Sequence, residues 1–83
     1  MAKLVFIGRL RDIAGCTEET AALPAHVRTA GDLLSWISSR SELWAEALAH
    51  PAVRVARNQE LVAPGDAVAD GDELALLPPM SGG

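Results

Sequence analysis

The apolar residues of this chain fall almost entirely into short runs stopped by glycine, proline or acidic turns, and one segment alone carries a sustained helical repeat. In that segment Ala30, Leu33, Leu34 and Ile37 stand at i, i+3, i+4 and i+7, which draws an apolar stripe along one helix face with Trp36 beside it. Thr29 opens the segment and Asp32 follows three residues later, the shorter relative of a capping box. A second helical piece, Ser41 to Ala49, has Ser41 as its cap and Leu43, Ala47 and Leu48 as its expected inward face, and Pro51 ends it.

The remaining runs read as strands. Lys3 to Gly8 (KLVFIG) is β-branched and aromatic, too short for a helix, and stops at glycine. Arg9 to Cys16 reads as a loop or single turn, and Thr17 to Leu23 as the return strand of a hairpin closed by Pro24. Val53 to Ala56 and Leu61 to Ala63 flank Asn58-Gln59, where asparagine tolerates the positive φ of a tight hairpin. Pro64-Gly65-Asp66 and Asp70-Gly71-Asp72 are turns by composition. Glu73 to Leu77 (ELALL) is apolar almost throughout and is therefore placed centrally in its sheet, before Pro78-Pro79 removes two ladder donors. These parts predict an α+β domain over residues 1–77, in which one main helix and a short one cover a mixed sheet with its first and last strands adjacent.

Composition excludes several kinds of function. With 83 residues the chain has room for one small domain with a thin core. Tyrosine is absent, and Lys3, Cys16, His26 and His50 supply few acids, bases or nucleophiles, so a self-contained catalytic set is not expected. The net charge of −4 argues against nucleic acid, and from Asn58 onward there are five acids and no Lys or Arg, which suits a basic protein partner. A lone cysteine builds no disulfide framework and points to a reducing compartment. Met1-Ala2-Lys3 leads into too short an apolar run for a leader or a membrane span, so a cytoplasmic protein is expected. His26 and His50 read as surface or capping residues, and Asp66, Asp70, Asp72 and Glu73 as turn chemistry, so no metal site is expected.

The ending is the chemical outlier. After the last strand come the stiff Pro78-Pro79, then Met80-Ser81, then Gly82-Gly83, a tail over residues 78–83 that spans roughly 20 Å when extended. Glycines without Cβ fit a narrow channel and leave a terminal carbonyl open to attack. A carboxylate is a poor electrophile, but adenylation by a separate ATP-using enzyme makes it a mixed anhydride, and a sulfur nucleophile displacing AMP then leaves a thiocarboxylate.

The residues LPPMSGG (Leu77 to Gly83), DGDEL (Asp70 to Leu74), ARNQELV (Ala56 to Val62) and KLVFIGRLRDIAG (Lys3 to Gly15) together resemble the small, sulfur-carrying subunit of molybdopterin synthase, the MoaD family. The resemblance spans essentially the whole chain and implies the ubiquitin-like β-grasp fold. It further implies that Gly83 carries the adenylate and then the thiocarboxylate, with ATP used by an E1-like adenylating enzyme (MoeB) and no cofactor bound by this chain. Sulfur would come from a donor such as a cysteine desulfurase or rhodanese-like protein.

By the same resemblance Pro79, Met80, Ser81 and Gly82 would insert into the large catalytic subunit (MoaE) of a heterotetramer. There sulfur would pass to a cyclic pyranopterin monophosphate to form the molybdopterin dithiolene, in molybdenum cofactor biosynthesis. Leu61 and Leu77 match apolar positions that pack on the large subunit, and Arg11 a polar partner contact. The active site would lie on the large subunit. A thiamine-pathway sulfur carrier, which tends to be shorter and to lack the piece at Ser41 to Ala49, and a ubiquitin-like protein modifier are the rival readings, with an inert interaction module behind them. Cys16 reads as an incidental small residue, because the family's sulfur travels on the terminal carbonyl.

Overall fold

The computed structural model describes residues 1–79. Its elements run β1 (Ala2–Phe6), α1 (Leu10–Ala14), β2 (Glu18–Ala21), α2 (Ala30–Ser38), α3 (Glu42–Leu48), β3 (Arg54–Arg57), β4 (Glu60–Val62) and β5 (Glu73–Leu77). The strands form one sheet in the order β2-β1-β5-β3-β4. β1 and β5 pair in parallel, Leu4 opposite Leu74 and Phe6 opposite Leu76, while the other neighbours are antiparallel. The apolar β5 is therefore paired on both sides, and the first and last strands are neighbours, as their composition predicts.

Alternation along the strands gives the sheet two unlike faces. Leu4, Phe6, Val55, Val62, Leu74 and Leu76 point into one core with Leu33 and Ile37 of α2 and Trp44 and Leu48 of α3. A helix held against a mixed sheet with parallel first and last strands is the β-grasp arrangement.

The start of α2 follows its sequence closely. Thr29 is extended at φ −127°, its hydroxyl accepts from the Asp32 N–H at 3.1 Å, and the Asp32 carboxylate accepts from the Thr29 N–H at 3.1 Å, a complete capping box. The first helical N–H groups find carbonyls in the 64–66 turn, Ala30 to Asp66 at 3.0 Å and Gly31 to Pro64 at 2.8 Å. A Cβ on Gly31 would meet that Pro64 oxygen at 3.3 Å, so glycine permits the approach. Asp32 is held below the ordinary carboxylate range, chiefly because the Arg28 N–H also donates to it.

Two expectations are corrected. The 9–16 segment contains the short helix α1, because Leu10 is drawn fully into the core and Gly15, at φ +77°, closes the turn with its N–H on the Arg11 carbonyl. In α3 the inward face is Trp44, Ala47 and Leu48, whereas Leu43 stays 58% exposed. Trp44, Ala47 and Leu48 stand at i, i+3 and i+4, whereas Leu43 precedes Ala47 and Leu48 by four and five positions, and the Trp44 ring packs on Phe6 with centroids 5.5 Å apart.

Candidate functional site

Opposite the core, the sheet has a face that no helix among the described residues covers. The register places Val5 beside Ala75, Ala75 beside Ala56, Ala56 beside Leu61, and Arg54 beside Leu77. Ile7 extends the alternation of β1, and its N–H donates to the Leu76 carbonyl at 3.1 Å. An apolar band, Ile7-Val5-Ala75-Leu77-Ala56-Leu61, thus crosses a solvent-facing surface, with Leu61 57% and Ile7 40% exposed. At one end of it the Lys3 ammonium lies 2.9 Å from Glu18 and 3.8 Å from Glu73, and its hydrogen bond to Glu18 raises its pKa above the ordinary value.

Leu77 ends the central strand on this face, and Pro78 and Pro79 follow at the edge of a cleft of about 580 Å³. Ile7, Gly8, Arg9 and His50 line the cleft with them. Gly8 has φ +58°, and a Cβ there would approach Pro78 Cγ to 3.2 Å, so the β1–α1 turn and the root of the tail are fitted to each other by the missing side chain. His50 is exposed, as its sequence suggested, and its Nδ1 accepts the Ala52 N–H at 3.0 Å in the turn after α3, while Nε2 has no partner among the described residues.

The structure brings Leu61 and Leu77 onto the apolar face and places Arg11 beside the tail root, where its Nε donates to the Gly8 carbonyl at 3.2 Å. Pro79 lines the cleft; Met80, Ser81, Gly82 and Gly83 lie outside the described residues. Three residues of the site were missed in the sequence. Ile7 was legible from strand alternation, whereas Arg9 and His50, 41 positions apart in the chain, meet only through folding.

The acids of the second half do not form a free cluster. Asp66 accepts the Ala63 N–H at 2.8 Å, Asp70 the Leu23 N–H at 3.0 Å, and Asp72 both the Ala69 N–H at 2.9 Å and the Asn58 amide at 3.1 Å. Their carboxylates tie turns together while Asp66 and Asp70 remain exposed. Among the described residues no group of three or more His, Cys, Asp or Glu is placed to hold a metal ion. No helix among them is long and apolar enough to cross a membrane.

A β-grasp domain with a bare apolar sheet face and a proline-led tail springing from its central strand is the architecture of a ubiquitin-like carrier or modifier. Residues 4–83 match the ThiS family, and the chain belongs to it. It is 38% identical to the molybdopterin synthase sulfur carrier subunit of Chlamydomonas reinhardtii, over 98% of this chain and 96% of that one. To the subunit of the same name from Escherichia coli K12 it is 35% identical over the full length of both. Among solved structures, SAMP1 of Haloferax volcanii superposes with a TM-score of 0.74 at 30% identity, covering 99% of this chain and 98% of that one. The likeness inferred from LPPMSGG and DGDEL therefore holds along the whole chain at the level of the family.

Proposed function

We propose that this chain is the sulfur carrier of molybdenum cofactor biosynthesis, a non-catalytic subunit that donates sulfur within molybdopterin synthase. The observation that carries the reading is the position of Leu77. It ends a strand hydrogen-bonded on both sides, stands on the uncovered apolar face, and passes directly into Pro78-Pro79 and the Gly82-Gly83 ending. A rigid handle with an apolar grip beside the tail suits a domain whose terminus is worked on by other proteins. The full-length likeness to two molybdopterin synthase sulfur carrier subunits supports the same reading.

In this mechanism a Gly83 carboxylate oxygen attacks the α-phosphorus of ATP on an E1-like adenylating enzyme, releasing pyrophosphate and forming the acyl adenylate. A sulfur nucleophile adds at the carbonyl carbon and AMP leaves. With free sulfide the thiocarboxylate forms directly; with a persulfide an acyl disulfide forms, and a second thiol attacks the donor's sulfur, making a disulfide with the donor and leaving the thiocarboxylate. The tail from Pro79 to Gly83 then enters the large catalytic subunit, where the thiocarboxylate delivers sulfur to a cyclic pyranopterin monophosphate. Leu61 and Leu77 pack against that subunit. The domain's own role is presentation.

Intact mass measurement after incubation with the adenylating enzyme, ATP and a sulfur donor tests the reading. A gain equal to one sulfur-for-oxygen exchange is expected, and an unchanged mass rejects it. The likeness to SAMP1, named in a second structure as small archaeal modifier protein 1, supports a modifier as the second reading. Its signature in the same experiment is an adduct on lysines of other proteins.

A further inference from the structure

The chain has seven cationic side chains, and six of them are engaged by the fold. Lys3 pairs with Glu18 and Glu73, and Arg40 makes a two-pronged pair with Glu19. Arg11, Arg28, Arg54 and Arg57 each donate to a backbone carbonyl, of Gly8, Ala25, Val62 and Ala67 respectively. The Arg9 guanidinium alone has no hydrogen-bond or ion-pair partner among the described residues, although the Arg9 carbonyl accepts the Asp12 N–H. Asp12 and Glu46 share a neighbouring recess with it, but neither carboxylate comes within ion-pair distance.

Arg9 also stands at the tail root, in the cleft that His50 lines as well. Because His50 Nδ1 is occupied by the Ala52 N–H, the neutral ring carries its proton on Nε2 and has a donor left over. The rest of the cleft lining is largely apolar, with Ile7, Leu77, Pro78 and Pro79, and through Ile7 and Leu77 it is continuous with the bare sheet face. A guanidinium and an imidazole N–H above an apolar wall match a carboxylate on an aliphatic stem.

We propose that Arg9 and His50 form a subsite at the root of the tail that receives an aspartate or glutamate side chain of the protein that takes up this chain. It rests on the function proposed above, in that the tail is received by a protein partner. An acidic residue on the partner's rim would meet Arg9 as the tail enters, so the pair sets register and speeds association more than it adds affinity.

The test measures association kinetics of the purified chain with the purified large subunit and with the purified adenylating enzyme, over a range of salt. With at least one of them, R9E slows association about fivefold to tenfold, and R9A flattens its salt dependence. His50→Asn, which keeps an acceptor for the Ala52 N–H, slows it about twofold to threefold. Changing the partner's Asp and Glu residues to Lys one at a time identifies a variant that restores R9E.

Leu61→Asp, on the sheet face, separates the two ideas. If it abolishes binding while R9E and R9A behave as wild type, the subsite is wrong and the carrier reading stands. If the wild-type chain binds neither partner, both fall. In spectra of the isolated chain, a saturable shift of the His50 ring with sodium phosphate would make the site one for a free anion and overturn the proposal.

Discussion

Gly8 and Pro78 touch across the junction between the β1–α1 turn and the end of β5: a methyl group on Gly8 would stand 3.2 Å from the Pro78 ring. Gly8 also has φ +58°, a conformation that costs an L-residue about 1–2 kcal/mol. Gly8→Ala is therefore expected to lower stability by about that amount and to shift the proline that launches the tail. Thermal unfolding checks the first effect. Weaker binding to the large subunit, beyond what matched loss of stability elsewhere produces, checks the second.

Trp44 and its neighbour Leu43 should respond in opposite ways. Trp44 is 5% exposed against Phe6, so Trp44→Ala is expected to cost about 3–5 kcal/mol by leaving a cavity in a thin core. Leu43, 58% exposed, should tolerate alanine within about 0.5 kcal/mol. Denaturant midpoints of the two variants decide the matter, and equal losses would contradict the observed inward face of α3.

The capping box of α2 predicts a pH dependence. Asp32 is held below its ordinary value of 3.8, so its contribution to stability is complete above that value and is lost as the pH falls through the lowered one. The melting-temperature gap between wild type and Asp32→Asn should accordingly be largest near neutral pH and close in strong acid. Thr29→Ala, which removes the reciprocal acceptor, should cost about 0.5–2 kcal/mol.

Leu61 is opposite Ala56 on the bare face and supports no core contact, so Leu61→Asp should fold normally and lose binding to the large subunit. Leu77→Arg should lose binding as well, at some cost to stability, because Arg54 is its cross-strand neighbour. Co-purification with the large subunit reads both. Retention by both variants would remove this face from the interface.

The chemistry itself is expected to depend on the terminus alone. Deleting Gly83, or adding one residue after it, should abolish the sulfur gain seen by intact mass while leaving the melting curve unchanged. Cys16→Ser should keep the gain. Loss of it in that variant would return Cys16, which is exposed, to the sulfur path.

Local patterns in the sequence carried much of the fold. The stripe Ala30-Leu33-Leu34-Ile37 and the Thr29/Asp32 box placed α2 within a residue of its observed start, because capping and periodicity act over a few positions. The left-handed pair Asn58 (φ 51°) and Gln59 (φ 73°) is the hairpin that the Asn58-Gln59 link announced. The apolar run at Glu73 to Leu77 placed β5 centrally, since a strand buried between two neighbours needs little polarity.

The misses came where several elements compete for one space. Whether residue 43 or 44 of α3 turns inward depends on a Phe6 ring nearly forty residues earlier, and α1 forms because Leu10 finds a core that its own segment cannot supply.

The same division runs through the site. By itself the sequence pointed to the end proposed to react, Pro78-Pro79 to Gly82-Gly83, because the proposed chemistry needs a main-chain terminus and neighbours without bulk, both written in consecutive residues. Only the tertiary structure decided what surrounds the root of that end. Parallel pairing of β1 with β5 sets Ile7, Gly8 and Arg9 against Leu77 and Pro78, and the turn after α3 adds His50. Long-range pairing joins residues that no local pattern links, since it is chosen by burial of the whole sheet face rather than by any one segment.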